Sequence, residues 1–148
     1  MGIRYLTKID TTYICEYYHN GAGFSKKEMR DFYAFLDKAN NQYVFSGNDG
    51  LIKRASQMNV TGITPMKDYL YLRISQKEPF DILYFTPSIT MIYNISDLSF
   101  SFSPEALYNP ITNLELRLKV VITHGKNHTE YGEKQNDYKI ELRTRYYF

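Results

Sequence analysis

The feature that most constrains the fold is a strict alternation of apolar and polar side chains toward the C-terminus. In the last segment one side carries Tyr138, Ile140, Leu142, Thr144, Tyr146 and Phe148, and the other carries Lys139, Glu141, Arg143, Arg145 and Tyr147. Side chains of a β-strand alternate between its two faces, whereas a helix repeats every 3.6 residues. This segment is therefore predicted to be a strand with one apolar and one charged face.

The same period recurs in five earlier segments, which gives six predicted strands. Their apolar side chains fall within residues 5–17, 70–74, 83–93, 98–102, 114–122 and 138–148. Strands of about ten residues are long enough to cross a bilayer at a tilt. Pro87 and Pro104 fall inside two of the segments, and we expect them near strand ends or bulges because proline cannot donate a ladder hydrogen bond.

The connections between the predicted strands differ in length on the two sides of the sheet. The stretch 20–67 and the polar stretch 124–137 lie on one side, and short proline-containing turns at 75–79 and 108–113 lie on the other. Outer-membrane barrels show this asymmetry, with short periplasmic turns and long extracellular loops. Ser25 and Glu28 form a capping-box pattern, which predicts one helix over 26–39, on or in the mouth of a barrel.

The polar face carries charges of both signs, namely Arg73, Glu115, Arg117, Lys119, Glu141, Arg143 and Arg145. Pairing the last two strands about their loop predicts Lys119 opposite Glu141, Glu115 opposite Arg145 and Arg117 beside Arg143. Two surroundings fit this pattern. Either the apolar face meets lipid and the charges line a wet lumen, or the apolar face packs in a core and the charges face solvent.

The final segment, residues 138–148, resembles the C-terminal strand of bacterial outer-membrane β-barrel proteins, which alternates in this way and ends on an aromatic residue, usually Phe. The resemblance covers the last strand closely and the other strands only in their alternation. It implies an outer-membrane location in a Gram-negative bacterium. It also implies that the barrel-assembly machinery reads a signal formed by Tyr138, Ile140, Leu142, Tyr146 and Phe148.

The predicted fold is therefore all-β: about six antiparallel meander strands of an up-and-down transmembrane β-barrel, with one helix in a long extracellular loop. The 148 residues form one domain. Because the first residues have no apolar signal segment and single-chain barrels begin at eight strands, we expect the domain to be the C-terminal part of a larger barrel.

The predicted function is porin-like passage of small polar solutes along the charged lumen, with the lipid bilayer as a partner. The alternative is a soluble β-barrel or β-sandwich that binds an apolar ligand between its sheets. The sequence contains no nucleotide-binding loop, zinc cluster or catalytic triad pattern, so we expect neither catalysis nor a cofactor. The net charge of +2, with acids and bases interleaved, gives no stripe for nucleic acid.

One loop carries residue types that bind metals. His124 and His128 lie four positions apart, with Glu130 nearby. A structural metal site needs four ligands in fixed geometry, and this polar stretch offers no fixed third ligand. We therefore expect solvated loop histidines here and no metal site.

Overall fold

The computed structural model describes residues 1–58 and 65–148, and its main element is one seven-stranded antiparallel sheet in sequence order. The strands are β1 (Gly2–Leu6), β2 (Thr11–His19), β3 (Asp68–Gln76), β4 (Phe85–Asn94), β5 (Phe100–Ile111), β6 (Leu114–His124) and β7 (Tyr138–Tyr146). Two helices, α1 (Lys26–Ser46) and α2 (Gly50–Gln57), follow β2. The predicted all-β meander is confirmed, and the sheet is open, with β1 and β7 at its edges.

The strand count is seven and not six, because the predicted first strand is a hairpin. The chain reverses between β1 and β2, where Thr7 N donates to the carbonyl of Thr11 at 2.9 Å and Asp10 adopts a φ of 57°. Asp tolerates this left-handed conformation, so the turn needs no glycine or proline. Tyr5 lies opposite Tyr13 on the same face of the hairpin. The apolar–polar alternation in the sequence therefore runs through the turn without a break, and it gave no sign that the chain reverses there.

The helix begins where the capping box predicts. Ser25 Oγ accepts from Glu28 N at 3.3 Å, and Glu28 Oε2 accepts from Ser25 N at 2.8 Å. The predicted end at residue 39 is wrong: α1 continues to Ser46, and Gly47 ends it in a left-handed conformation with a φ of 66°. The two asparagines after residue 39 cost the helix only about 0.7 kcal/mol each or less, which neighbouring contacts override.

A second helix, α2, was not predicted, so the expectation of a single helix in this connection is also wrong. It starts at Gly50, with three residues between it and the end of α1, and it buries Ala55. The Gly47–Gly50 segment is thus a turn between two helices. The turn consists largely of glycine and asparagine, which indicate a loop in sequence. The start of a helix directly after it was therefore not predicted.

The two prolines lie inside strands. Pro87 pairs with Ala106 and Pro104 with Ile89, and the β4–β5 register continues past both. On its other side β5 pairs with β6 at Phe102 and again at Glu105, and skips the two residues between. A missing N–H at Pro104 explains this local gap, since proline cannot complete the ladder. Pro87, the third residue of β4, thus lies near a strand end as expected, whereas the register shift in β5 lies between Tyr108 and Ile111 and not at Pro104.

The connections opposite the helices also differ from those predicted. β5 extends to Ile111, so the turn predicted over 108–113 shrinks to residues 112–113. The connection between β3 and β4 covers residues 77–84 and contains the 3-10 turn Pro79–Asp81. The predicted sidedness is nevertheless confirmed, because the helical connection and the β6–β7 loop leave the same end of the sheet. We call this the loop end and the opposite one the turn end.

The two faces of the sheet have different coverings. On the polar face, Met29 of α1 packs with Met66 and Tyr69, and Phe32 and Ile92 pack against this cluster. On the apolar face, the described side chains are exposed or partly exposed: Leu142 is 74% exposed, Ile140 63% and Leu118 45%, and the central strands contribute partly exposed residues such as Leu72 and Met91. The small core therefore lies at the loop end of the polar face, and no second layer covers the apolar face in the described ranges.

Candidate functional site

The charged rows of the polar face have the predicted register. Lys119 lies opposite Glu141, Glu115 opposite Arg145 and Arg117 opposite Arg143. Side chains directly opposite one another on an antiparallel pair lie about 5 Å apart at Cβ, close enough for charges to interact. The strands β6 and β7 thus place three rows of charge on one face.

The ion pairs form mostly along diagonals and within strands. They are Arg117–Glu105 at 2.9 Å, Arg143–Glu141 at 2.9 Å, Lys139–Glu141 at 3.5 Å and Arg145–Glu115 at 3.6 Å. Of the predicted opposite-charge rows, only that of Glu115 and Arg145 closes as an ion pair. Glu141 instead forms ion pairs with Lys139 and Arg143 of its own strand. Lys119 makes no ion pair within 4 Å in the described part of the chain.

Glu105 is a member of this face that the sequence prediction missed. Its side chain is largely buried and holds Arg117, whose Nε is buried without a hydrogen-bond partner. A partly desolvated pair interacts more strongly than an exposed one, because less water screens it. The alternation Ser101, Ser103, Glu105 would have placed Glu105 on the polar face. The predicted strand ended before this residue because Pro104 was taken to interrupt it.

Arg73 stands apart from the ion-paired charges. It lies on β3 opposite the uncharged residues Ile14 and Thr90, and its Nη2 reaches Ser88 Oγ at 3.4 Å. Within the described residues, Arg73 has no carboxylate within ion-pair distance. It is therefore a cation on the polar face without a neutralising neighbour.

A second polar site lies at the loop end, centred on Glu130 of the β6–β7 loop. Glu130 is only 2% exposed, and its Oε2 accepts from the hydroxyl of Tyr69 at 2.6 Å and from Nδ2 of Asn94 at 2.8 Å. Its backbone N–H donates to Asp97 Oδ2 at 2.7 Å. Glu130 is buried because this stretch folds down onto β3, β4 and the turn that follows β4, whereas His124 is exposed, as expected, and His128 is partly exposed.

Burial raises the pKa of the Glu130 carboxyl, and the hydrogen bonds from Tyr69 and Asn94 oppose that rise. The other oxygen, Oε1, is buried without a partner. Burial also raises the pKa of the neighbouring Tyr33 to about 12, so this phenol stays neutral. The site therefore favours the uncharged carboxyl, since taking an ionised one out of water is costly.

The same loop is tied to helix α1. His128 Nε2 lies 2.7 Å from Asp37 Oδ2, and its ring stacks on Tyr33 with centroids 6.4 Å apart. His124, by contrast, contacts the ring of Phe100 at 5.4 Å between centroids. The two histidines and Glu130 thus have separate partners, and the described residues form no group of three or more His, Cys, Asp or Glu side chains that could hold a metal.

The residues of the proposed assembly signal lie at the edge of the sheet. Tyr138, Ile140, Leu142 and Tyr146 follow one face of β7 and are exposed. Phe148 lies just beyond the strand, with its ring edge-on to Tyr146 at 5.4 Å. The arrangement leaves this strand accessible along both its apolar face and its outer edge.

Comparison with protein families, with curated proteins and with solved structures found no match for this chain. Among the described residues, neither helix has the length and apolar character needed to span a bilayer. The physical features of the two faces and of the loop end therefore carry the functional argument.

Proposed function

We propose that the sheet forms part of the wall of a transmembrane β-barrel in the bacterial outer membrane, and that the barrel is a porin-like channel for small polar solutes. One observation carries the proposal. Within residues 1–58 and 65–148, no element covers the apolar face that extends from β1 to β7, while the opposite face holds the charges and contacts α1. A soluble monomer seldom exposes a continuous apolar patch of more than a few hundred Å². In a membrane, lipid covers such a face.

The dimensions of the strands support this environment. β2 through β7 contain 9 to 12 residues each. Transmembrane strands need about 9 to 11 residues at a tilt near 45°. β1, with five residues, is the exception. The six longer strands are sufficient to cross the hydrocarbon layer.

The charges support the assignment of the faces. Turning β7 over would place Glu141 and Arg143 in hydrocarbon and Ile140 and Leu142 in water. A basic side chain near the bilayer midplane costs about 2–4 kcal/mol, and less toward the interfaces. The polar face is therefore the one that meets water in a lumen, and α1, which packs on it at the loop end, narrows the mouth of the channel.

The loop end would face outward from the cell. It carries the helical connection and the folded β6–β7 loop, whereas the turn end carries shorter connections. Outer-membrane barrels place their longer loops outside. Closing the cylinder requires further strands at the free edges of β1 and β7, because seven strands are one fewer than in the smallest single-chain barrels.

The C-terminal strand supplies the link to assembly. Its alternating apolar residues and Phe148 resemble the signal that the barrel-assembly machinery reads in outer-membrane barrels. β7 is an edge strand with an exposed apolar face, so the signal is available for pairing. This accessibility supports the assembly machinery as a partner.

Two measurements test the proposed function. After expression of the whole protein in a Gram-negative host, the barrel proposal expects it in the outer-membrane fraction and insoluble without detergent. A protein that stays monomeric in buffer without detergent and binds apolar ligands would instead support the soluble alternative. Planar-bilayer recordings then test the channel: stepwise conductance is expected, and a bilayer that stays silent with folded, inserted protein would contradict it.

A further inference from the structure

The polar face from β3 to β7 carries twice as many basic as acidic side chains. The basic ones are Arg73, Arg117, Lys119, Lys139, Arg143 and Arg145, and the acidic ones are Glu105, Glu115 and Glu141. β1 and β2 add one charge of each sign, Arg4 and Glu16. The face thus has an excess of positive charge, although the net charge of the chain is only +2.

The ion pairs do not remove this excess. Each of the three carboxylates is already held by an arginine, at 2.9 to 3.6 Å, and Glu141 also holds Lys139. Arg73 and Lys119 make no ion pair in the described part of the chain. They differ in surroundings, because Lys119 lies between Glu105 and Glu141 in its row, whereas the row of Arg73 carries no acid.

We infer that the channel prefers small anions, with Arg73 as the principal selectivity-determining residue and Lys119 as a weaker one. This inference rests on the proposed function, since it assigns the substrate class of that same lumen. Rings or clusters of Arg and Lys select anions in pores. Low-dielectric walls strengthen the effect, because they focus the field of lumen charges on the passing ion.

The guanidinium of Arg73 is suited to this role by its position. It lies near the middle of β3, on the face to which α1 packs closer to the loop end. Among the described residues its guanidinium makes one hydrogen bond, to Ser88 Oγ at 3.4 Å, so its other N–H groups are available. An arginine with free donors can hold a carboxylate or phosphate oxygen as well as attract chloride.

The test is the reversal potential of the whole protein in a planar bilayer under a tenfold KCl gradient, with the dilute side near 0.01 M. At that ionic strength the screening length is about 30 Å, so fixed charges act strongly on ions in the lumen. We expect the sign of the reversal potential to indicate that chloride is more permeant than potassium. In Arg73→Gln we expect the chloride-to-potassium permeability ratio to fall about sixfold, because one charge roughly 8 Å from the ion path in water changes the weights of chloride and of potassium about 2.4-fold each, in opposite directions.

Four variants control for changes unrelated to the charge of this face. Arg73→Lys keeps the charge and should keep the wild-type ratio. Lys119→Gln should lower the ratio less than Arg73→Gln does, because two carboxylates flank that lysine. Glu115→Gln removes an acid from the same face and should raise the ratio. Arg54→Gln makes the same chemical change on the exposed surface of α2 and should leave the ratio unchanged.

The outcomes separate this inference from the proposed function. An inserted protein that gives no conductance overturns both. Conductance with a preference for potassium, or an unchanged ratio in Arg73→Gln, overturns the anion inference and leaves the channel standing. If Arg73→Gln does not insert, the opposed shifts of Lys119→Gln and Glu115→Gln decide the question: shifts in opposite directions support the inference, and no shift in either overturns it.

Discussion

The hydroxyl of Tyr69, on β3, donates a 2.6 Å hydrogen bond to the carboxyl of Glu130, which lies 61 residues further along the chain. Both side chains are 2% exposed. The same hydroxyl accepts from Met66 N at 2.8 Å. This contact joins the β6–β7 loop to the sheet at the mouth of the proposed channel. We therefore expect it to determine how often the loop opens and how its opening depends on pH.

Replacing Tyr69 by Phe should loosen the loop without unfolding the sheet. The change leaves Glu130 Oε2 with one donor fewer and the buried Met66 N–H without its acceptor. A buried polar group left unsatisfied costs about 1–3 kcal/mol. Amide hydrogen exchange should accelerate in residues 126–133. Tyr71→Phe, on the same face of β3, is the control, and equal acceleration in both variants would refute the role of the Tyr69 hydroxyl.

The loop should also respond to pH through Glu130. Because burial raises the pKa of this carboxyl above its ordinary 4.5, the folded loop binds the proton more tightly than the open loop does. Its stability is then greatest below pH 4.5 and falls as the pH rises through the raised value. Amide exchange in the loop, corrected for the intrinsic pH effect, should speed up across this window.

Glu130→Gln separates the titration from the packing. The amide oxygen of Gln can still accept from Tyr69 and Asn94, but the side chain cannot ionise. We expect the pH dependence of loop exchange to disappear, with protection at neutral pH equal to or above that of the natural protein. A pH dependence that persists unchanged in this variant would assign it to another group.

Gly132 should not tolerate a side chain. A Cβ at this position would overlap the carbonyl oxygen of Lys126 and the hydroxyl of Thr129, both within the same folded loop. Gly132→Ala is therefore expected to displace the loop and raise its susceptibility to limited proteolysis. Gly21→Ala, where the added carbon meets nothing within 4 Å, is the matched control. Equal protease resistance of Gly132→Ala and the unmodified protein would contradict the close packing described above.

Phe148 should matter for assembly more than for stability. Its ring contacts Tyr146 but is otherwise exposed, so Phe148→Ala removes little packing. If the assembly machinery reads this residue, the variant should accumulate unfolded in the periplasm while its purified form refolds in detergent with normal stability. Phe45→Ala, which truncates an exposed aromatic on α1, should assemble normally. Normal assembly of Phe148→Ala would remove the support for the signal.

How much of this structure could be predicted depended on the range of the interactions. The β6–β7 register followed from the alternation and from the position of the connecting loop: a one-residue slip exchanges the two faces of a strand, and centring the pairing on the loop selects the partners. The capping box located the start of α1, since its partners lie three residues apart. Such signals are local, and the sequence displays them directly.

The features that were missed depend on contacts between distant residues. The burial of Glu130 requires Tyr69, Asn94 and Asp97 to meet it from other elements, and in the sequence its loop has a polar composition. The β1–β2 turn was hidden because Asp10 takes the left-handed conformation without glycine. The alternation also does not tell what covers the apolar face. A strand that faces lipid and a strand that faces a protein core show the same pattern of apolar and polar residues.

The surroundings of the apolar face are the central claim, and site-directed spin labelling in lipid vesicles tests them most directly. After Cys15→Ser removes the free thiol, labels placed at Leu142 and at Arg143 report the two faces of β7 separately. The account predicts that the label at Leu142 is relaxed by oxygen dissolved in the lipid, and the label at Arg143 by a water-soluble nickel chelate. A label at Leu142 that is reached by the nickel chelate, or that is shielded from both reagents by protein, would contradict it.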